Sequence, residues 1–373
     1  MRRLPLLRRA ATMPPVAFSR GTLVTNLFVR AGALLLLMAV LAAPLRAELV
    51  KDLYSGQTPV SDRSQAELGR AAREALSQVL VKVSGSTEVL GLPGIAEALE
   101  DALAQSRQFS YARTDDPEQP LAARFEFSQR WVSGLLNAAG APLWTANRPA
   151  VLLWLVQDTP EGRQFVNRET APELVRRLER DFEARGVPLR FPLYDLTDAA
   201  ALSPGQAWSL NEVSLRQASQ RYRVDEILAG RLSQLSGGLW LGDWAYLSAR
   251  ERIDRSASPE PVDAFLDAGV ALVAEDMAAR YAVAASGAPA SGVAMRVSNV
   301  RSYADYAAIV SWLEGLELID HANVEHISGN RLQLRLLAQA DASQLASIIE
   351  LNRRLVPVTT AAVSGELNYQ WQN

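Results

Sequence analysis

The chain has 373 residues, with 38 basic and 41 acidic side chains, two histidines and no cysteine. Without cysteine there is no disulfide framework, no thiolate nucleophile and no lipid-modified cysteine, so the fold must rest on its core. All seven basic residues of 1–47 are arginines and that segment holds no acid, so the remainder carries 31 basic against 41 acidic residues, a net charge of −10 that disfavours nucleic acid and anionic lipid as partners.

Residues 1–47 read as a signal peptide. Arginines 2, 3, 8, 9, 20 and 30 precede the uncharged run "AGALLLLMAVLAAPL", and "RA" stands before Glu48. A basic stretch, a short apolar run and a small residue at the break describe export with cleavage after Ala47. The run is shorter than a spanning helix requires. The alternative is a retained N-terminal anchor, the one route by which the chain would engage a membrane. Met13 is a second candidate start.

The first block, 48–147, opens with "LVKDLYSGQTPV" as a strand. Ser64 and Glu67 have capping-box spacing ahead of a helix that Gly85 stops. Leu68, Ala72, Leu76, Val79 and Val83 give that helix one buried face. A helix with Ile95, Leu99 and Leu103 inward follows, then strands "FSYAR" and "AARFEF" and the helix "QRWVSGLLNAAG".

The second block, 148–282, has the expected order βαβαββα. "AVLLWLVQ" is a strand apolar on both faces. Thr170 with Glu173 and Ser209 with Glu212 have capping-box spacing, and Leu174, Leu178 and Phe182 face inward. "VDEILAGRLSQL" and "LWLGDWAYLS" form a hairpin across "SGG", and a helix over 262–281 presents Phe265, Leu266, Val270, Val273, Met277 and Tyr281. This order predicts a partly parallel sheet with helices on its faces.

Residues 283–292, small and Pro/Gly-containing, read as a linker. The third block, 293–373, has the ferredoxin-like order βαββαβ, with Ser302/Asp305 and Asp341/Gln344 opening its helices and "LVPVTTAAV" as the final strand. The fold class expected is therefore α+β in three small modules. An RNA-reading version is excluded, since "RLQLRLL" has no stacking ring.

Candidate chemistry is sparse. His321 and His326 are five apart, which on a regular strand places them on opposite faces and matches no zinc spacing, so no metal and no cofactor are expected. No serine sits in a nucleophile elbow, and the glycines of "GRLSQLSGG" lead into a strand rather than a helix. Carboxylates are plentiful, and Asp158 and Asp195, which end two expected strands where open α/β sheets place ligands, form the best candidate for a hydrolase pair. Trp240, Gly242, Trp244 and Tyr246 share a strand face, with Asp243 between the two tryptophans. That row is either a glycan-stacking platform or the floor beneath the 262–281 helix. The need of that helix for a sheet face favours burial.

Taken together, "AREALSQVLVKVSGS", "LLWLVQD", "RYRVDEILAGRL" and "LWLGDWAYL" resemble exported proteobacterial proteins grouped as domain of unknown function 2066. The second block is similar at fold level to the N-terminal domain of the Tol system's periplasmic propeller protein. The first is loosely similar to the N-terminal domain of a flagellar assembly protein. None of these resemblances implies an activity or a catalytic residue. The expectation is a periplasmic, non-enzymatic interaction or assembly factor of the cell envelope, with other envelope proteins as partners. The alternatives are a glycan or peptidoglycan binder using Trp240 and Trp244, and an envelope hydrolase using Asp158 and Asp195.

Overall fold

The computed structural model describes residues 48–114, 119–235, 237–258, 260–283, 292–352, 354–358 and 365–372. The expected signal peptide and most of the expected linker, 284–291, lie outside the described residues. The chain is α+β.

In the first block, β1 (Glu48–Leu49) is followed by β2 (Ser55–Pro59) and the long helix α1 (Gln65–Ser84). Two short helices, α2 (Ile95–Glu100) and α3 (Ala102–Gln105), lead to β3 (Ser106–Arg113), β4 (Leu121–Phe127) and α4 (Gln129–Ala138). The strands form an antiparallel sheet in the order β2-β4-β3. Helix α1 lies against β2 so closely that a Cβ on Gly56 would stand 2.4 Å from the Ala75 carbonyl oxygen. Ala71, Ala72 and Ala75 on the helix and Gly56 on the strand together permit this approach. Ser64 caps α1 by accepting the Glu67 N–H. The Glu67 carboxylate, however, turns to the Ser61 N–H rather than closing the reciprocal bond.

The second block contains β5 (Asn147–Arg148), β6 (Val151–Thr159), β7 (Gly162–Phe165), α5 (Pro172–Ala184), β8 (Leu189–Arg190) and three short helices, α6 (Leu196–Ala201), α7 (Pro204–Trp208) and α8 (Glu212–Ser219). It ends with β9 (Glu226–Gln234), β10 (Trp240–Leu247), β11 (Arg252–Ser256) and α9 (Val262–Tyr281). The sheet order is β11-β10-β9-β6-β7. Strands β6 and β9 run parallel, β8 pairs parallel with the start of β6, and the other neighbours are antiparallel. Strands β7 and β11 extend the expected βαβαββα order. Alternation along β6 sends Val151, Leu153 and Leu155 into the core beneath α5 and α9, and Leu152, Trp154 and Val156 into the core beneath α6–α8. Two caps differ from expectation. Ala171, not Thr170, precedes α5, because the Thr170 hydroxyl donates to the Phe165 carbonyl (2.6 Å). Asn211, not Ser209, caps α8, because Ser209 closes α7.

The third block contains β12 (Val293–Ser298), α10 (Tyr303–Glu314), β13 (Ile319–Ser328), β14 (Arg331–Ala338), α11 (Ala342–Ile349), β15 (Leu355–Pro357) and β16 (Glu366–Trp371). Both of its expected capping boxes are formed. The strand expected to finish βαββαβ is the short β15, and β16 inserts between it and β12, giving β13-β14-β12-β16-β15 with β12 and β16 parallel. Leu367, Tyr369 and Trp371 alternate into the core, which is why β16 rather than β15 holds the inner place.

The first and third blocks share one apolar core. Residues from Leu53 to Leu143 and from Val283 to Trp371 pack as a single cluster, while the middle block keeps its own cores on both sheet faces. The segment 143–148 ties the blocks together. Leu143 bridges Val283, Trp144 N donates to Val83 O (2.7 Å), Ala146 N to Glu317 Oε1 (2.9 Å) and Asn147 Nδ2 to Ile348 O (3.4 Å); β5 pairs with β1.

At its centre is Arg148, fully buried. Its guanidinium donates to the carbonyls of Lys82 (2.7 Å), Trp144 (2.8 Å), Thr145 (2.8 Å), Gly186 (2.9 Å) and Arg185 (3.3 Å), and lies 3.8 Å from the centre of a Trp144 ring. Lys82 is in the last turn of α1, and Arg185 and Gly186 follow α5, so two helix C-termini direct their negative ends at this cation. Burial pulls the Arg148 pKa down to about 9, which leaves it charged at neutral pH.

Candidate functional site

The residues singled out from the middle block fall in three places, two on its sheet and one at the start of α6. Trp240, Gly242, Trp244 and Tyr246 do face α9. Trp244 is fully buried, stacked on Phe265 with ring centres 4.6 Å apart, and its indole N–H donates to the Phe265 carbonyl (2.9 Å). Three glycines make room for this packing: a Cβ on Gly230 or Gly269 would stand within 2.5 Å of the Trp244 ring, and one on Gly242 within 2.4 Å of Phe265. Trp244 therefore cannot belong to an exposed glycan platform. Trp240, half-buried at the end of the strand, is left without a neighbouring exposed ring from that row.

Asp158 and Asp243 lie on the opposite sheet face, beneath α6–α8 and toward the C-terminal ends of β6 and β9. Asp243 accepts from Arg231 Nε (2.8 Å) and from the Ser256 hydroxyl (2.6 Å), and these bonds hold its carboxyl below the usual range against the opposing effect of burial. Asp158 is exposed, cross-strand from Arg163 and Ser233. Arg163 and Arg231 lie over Trp208 of α7, at 4.4 and 5.7 Å from the ring, and Arg231 also donates to the Trp208 carbonyl.

Asp195 belongs to a different cluster. It caps α6 by accepting the N–H groups of Thr197 and Asp198 (3.0 Å each) and receives a forked pair of bonds from Arg221 at 2.6 and 2.9 Å. Arg221 and the backbone donors hold its carboxyl far below the usual range. Beside it the buried Asp198 accepts from Tyr194 N (2.8 Å), Arg221 Nη1 (2.9 Å) and the Tyr222 hydroxyl. Burial and the bond to Asp198 push the Tyr222 phenol up to about 12. A carboxylate kept ionised by an arginine and two backbone donors is a poor general acid or base at neutral pH. The arrangement locks the loop before α6 onto the end of α8, over an aromatic cluster of Trp154, Phe165, Tyr194 and Tyr222.

The buried charged groups that the sequence reading missed include two with extended sets of partners. One is Arg148. The other lies at the N-terminal end of β9, where Glu226 accepts a forked pair from Arg280 (2.9 and 3.1 Å) and a bond from the Tyr246 hydroxyl, while Asp276 accepts from Arg280 Nε (2.8 Å). Arg280 stays firmly protonated because these acids outweigh the burial that opposes its charge. This network fastens the C-terminal end of α9 to the sheet at the end remote from where ligands bind in open α/β sheets. The spacing of Asp276 and Arg280, four apart on a helix, was the one readable signal.

The histidine geometry differs from expectation. Glu325 is an extra residue in β13, so that His321 pairs with Leu337 and His326 with Gln333, and the bulge brings both histidines to the same, exposed face. Among the described residues no three His, Cys, Asp or Glu side chains are grouped so that they could hold a metal ion. No helix among the described residues is long and apolar enough to cross a membrane.

No curated protein matches the chain. Residues 47–145, which make up most of the first block, match a family described as a domain of unknown function, DUF8605.

Proposed function

We propose that this chain is an exported protein of the bacterial envelope that acts by binding other envelope proteins rather than by catalysis. The observation that carries this reading is the outer surface around α6–α8. There Leu193, Leu196 and Val213 are 70, 90 and 72% exposed, while the polar groups beside them, Asp195, Asp198, Arg221 and Tyr222, are bound to one another. Large apolar side chains held in water carry a solvation cost that contact with a partner removes. Rigid support under an apolar surface suits binding, because little conformational entropy is lost on association. The basic, apolar and small-residue pattern of 1–47 and the resemblance to the domain of unknown function 2066 family supply the envelope context.

A photo-crosslinking residue at Leu196 tests the reading in cells. The expected result is an adduct with a defined envelope protein that disappears when Val213 is replaced by Glu. Crosslinks to water alone, in a chain of full length found in the cytoplasm, would refute it.

A further inference from the structure

Helix α6 is held to the middle block without burying an apolar side chain. Of the seven residues 195–201, six are exposed and Asp198 alone is buried. A helix this short does not stand alone in water, and helices in proteins draw most of their stability from a packed apolar face. Helix α6 has no such face, and Leu196 at its start is 90% exposed.

The attachment is polar instead. The Asp198 carboxylate accepts from Arg221 Nη1 (2.9 Å), from the Tyr194 N–H (2.8 Å) and from the Tyr222 hydroxyl. The Tyr222 oxygen in turn accepts the Leu193 N–H (2.8 Å), and Arg221 also forks onto Asp195. Two neighbouring side chains in the turn after α8 thus grip the segment at its first turn and just before it.

The segment runs between two firm points. Tyr194 has a left-handed backbone, φ 53°, which a residue other than glycine keeps only where its surroundings impose it. Here the ring does so, lying 5.2 Å from Phe165 and 6.0 Å from Trp154, with its hydroxyl donating to the Val166 carbonyl (3.3 Å). On the other side Leu202 is fully buried in the core beneath α6–α8. Between these points no apolar side chain has to be pulled out of a core when the segment lifts. Segments with few buried apolar contacts are those that open locally, well below the free energy of global unfolding.

We propose that residues 195–201 form a hinged lid, latched shut by Arg221 and Tyr222 onto Asp198, that opens as a unit between Tyr194 and Leu202 while the sheet beneath stays folded. Opening releases the Tyr222 hydroxyl from the lid and frees that ring, which meets Trp154 at 6.4 Å, at the edge of the aromatic cluster. It also carries Leu196 away with the helix. A ligand that prefers one position of the lid shifts its population accordingly. That Leu196 is where such a ligand takes hold rests on the binding function proposed above; the lid itself does not.

Hydrogen–deuterium exchange of the purified chain, read by mass spectrometry, tests the lid with no partner present. The Ala199 N–H is bonded to the Asp195 carbonyl (2.9 Å) and the Leu202 N–H to the Asp198 carbonyl (2.8 Å), so peptides covering 195–202 report the lid. Peptides covering 151–157 report the central strand β6. In the unmodified chain 195–202 should exchange well before 151–157. Tyr222→Phe, which keeps the ring, and Arg221→Met should each speed exchange in 195–202 by about tenfold, the equivalent of one hydrogen bond to a charged group, and leave 151–157 unchanged. Equal exchange of the two segments in the unmodified chain would overturn the proposal, because α6 would then open only with the whole fold. Acceleration in neither variant, or equal acceleration of both segments, would overturn it as well.

Discussion

Replacing Arg148 with Met keeps the aliphatic stem and most of the volume but removes every donor from the junction of the three blocks. Five carbonyl oxygens lose their partner, four of them held at 2.7–2.9 Å. A buried acceptor left unpaired costs about 1–3 kcal/mol, and the stacking on Trp144 is also lost. Against this, a fully buried guanidinium no longer has to be desolvated, which returns several kcal/mol. The balance resembles other cases in which one side of a buried charged contact is removed, about 3–5 kcal/mol of destabilisation. That is a large share of the 5–15 kcal/mol typical of a folded domain. Lys in place of Arg148 can meet at most three of the five carbonyls and should cost about 2 kcal/mol. Guanidinium chloride unfolding followed by tryptophan fluorescence is the natural assay, since Trp144 lies directly against the guanidinium. Limited proteolysis of the Arg148→Met protein should in addition cut within 143–148 before either flanking block is degraded. A midpoint for Arg148→Met equivalent to less than 1 kcal/mol of change would refute the view that this residue joins the blocks.

Three further outcomes follow from the packing and electrostatics. Trp244→Ala should cost about 3–5 kcal/mol, against roughly 1 kcal/mol for the half-buried Trp240→Ala, and chemical denaturation of the two variants separates them. Burial raises the Glu317 pKa, with Arg148 and the Ala146 N–H only partly opposing it. The folded chain therefore holds that proton more tightly than the unfolded chain, and stability falls as pH rises from the usual carboxylate range through the raised value. Glu317→Gln keeps an acceptor for Ala146 and should show a smaller loss of melting temperature between pH 5 and pH 8, read by thermal scans. Truncation after Gly365 removes Leu367, Tyr369 and Trp371 from the shared core, about 6 kcal/mol at 1.5–3 kcal/mol per buried side chain, and should leave the third block unfolded by circular dichroism.

Periodicity made the long elements legible. The faces of α1 and α9 and the alternation of β10 stand where the spacing of Leu76, Phe265 and Trp244 puts them, because burial of a repeated face is a local pattern. The capping boxes at Ser302 and Asp341 were readable for the same reason. Those expected at Thr170 and Ser209 failed because nearby hydroxyls found other partners, the Phe165 carbonyl in one case and the end of α7 in the other. Strand β16 was missed because "ELNYQW" alternates over only six residues, and its place beside β12 is fixed by contacts more than sixty residues away. The bulge at Glu325 depends on the β14 partner, so the sequence alone assigned the two histidines to opposite faces. Arg148 gave no signal, since carbonyl oxygens are its partners and every residue carries one. Among the site residues, the burial of Trp244 could be argued from the helix that follows it. The cap and ion pair of Asp195 could not, because Arg221 lies 26 residues further along.

The central claim is that the chain acts in the envelope by binding other proteins through the surface around α6–α8. The most direct measurement compares the unmodified chain with a Leu196→Glu/Val213→Glu variant, each recovered from the periplasmic fraction with its crosslinked partners and identified by mass spectrometry. The account predicts one or a few envelope proteins on the unmodified chain, at least tenfold depleted on the variant, a change of about 1.4 kcal/mol in binding, with the two chains equally folded. The same proteins at equal yield on both chains, or none on either, would contradict it.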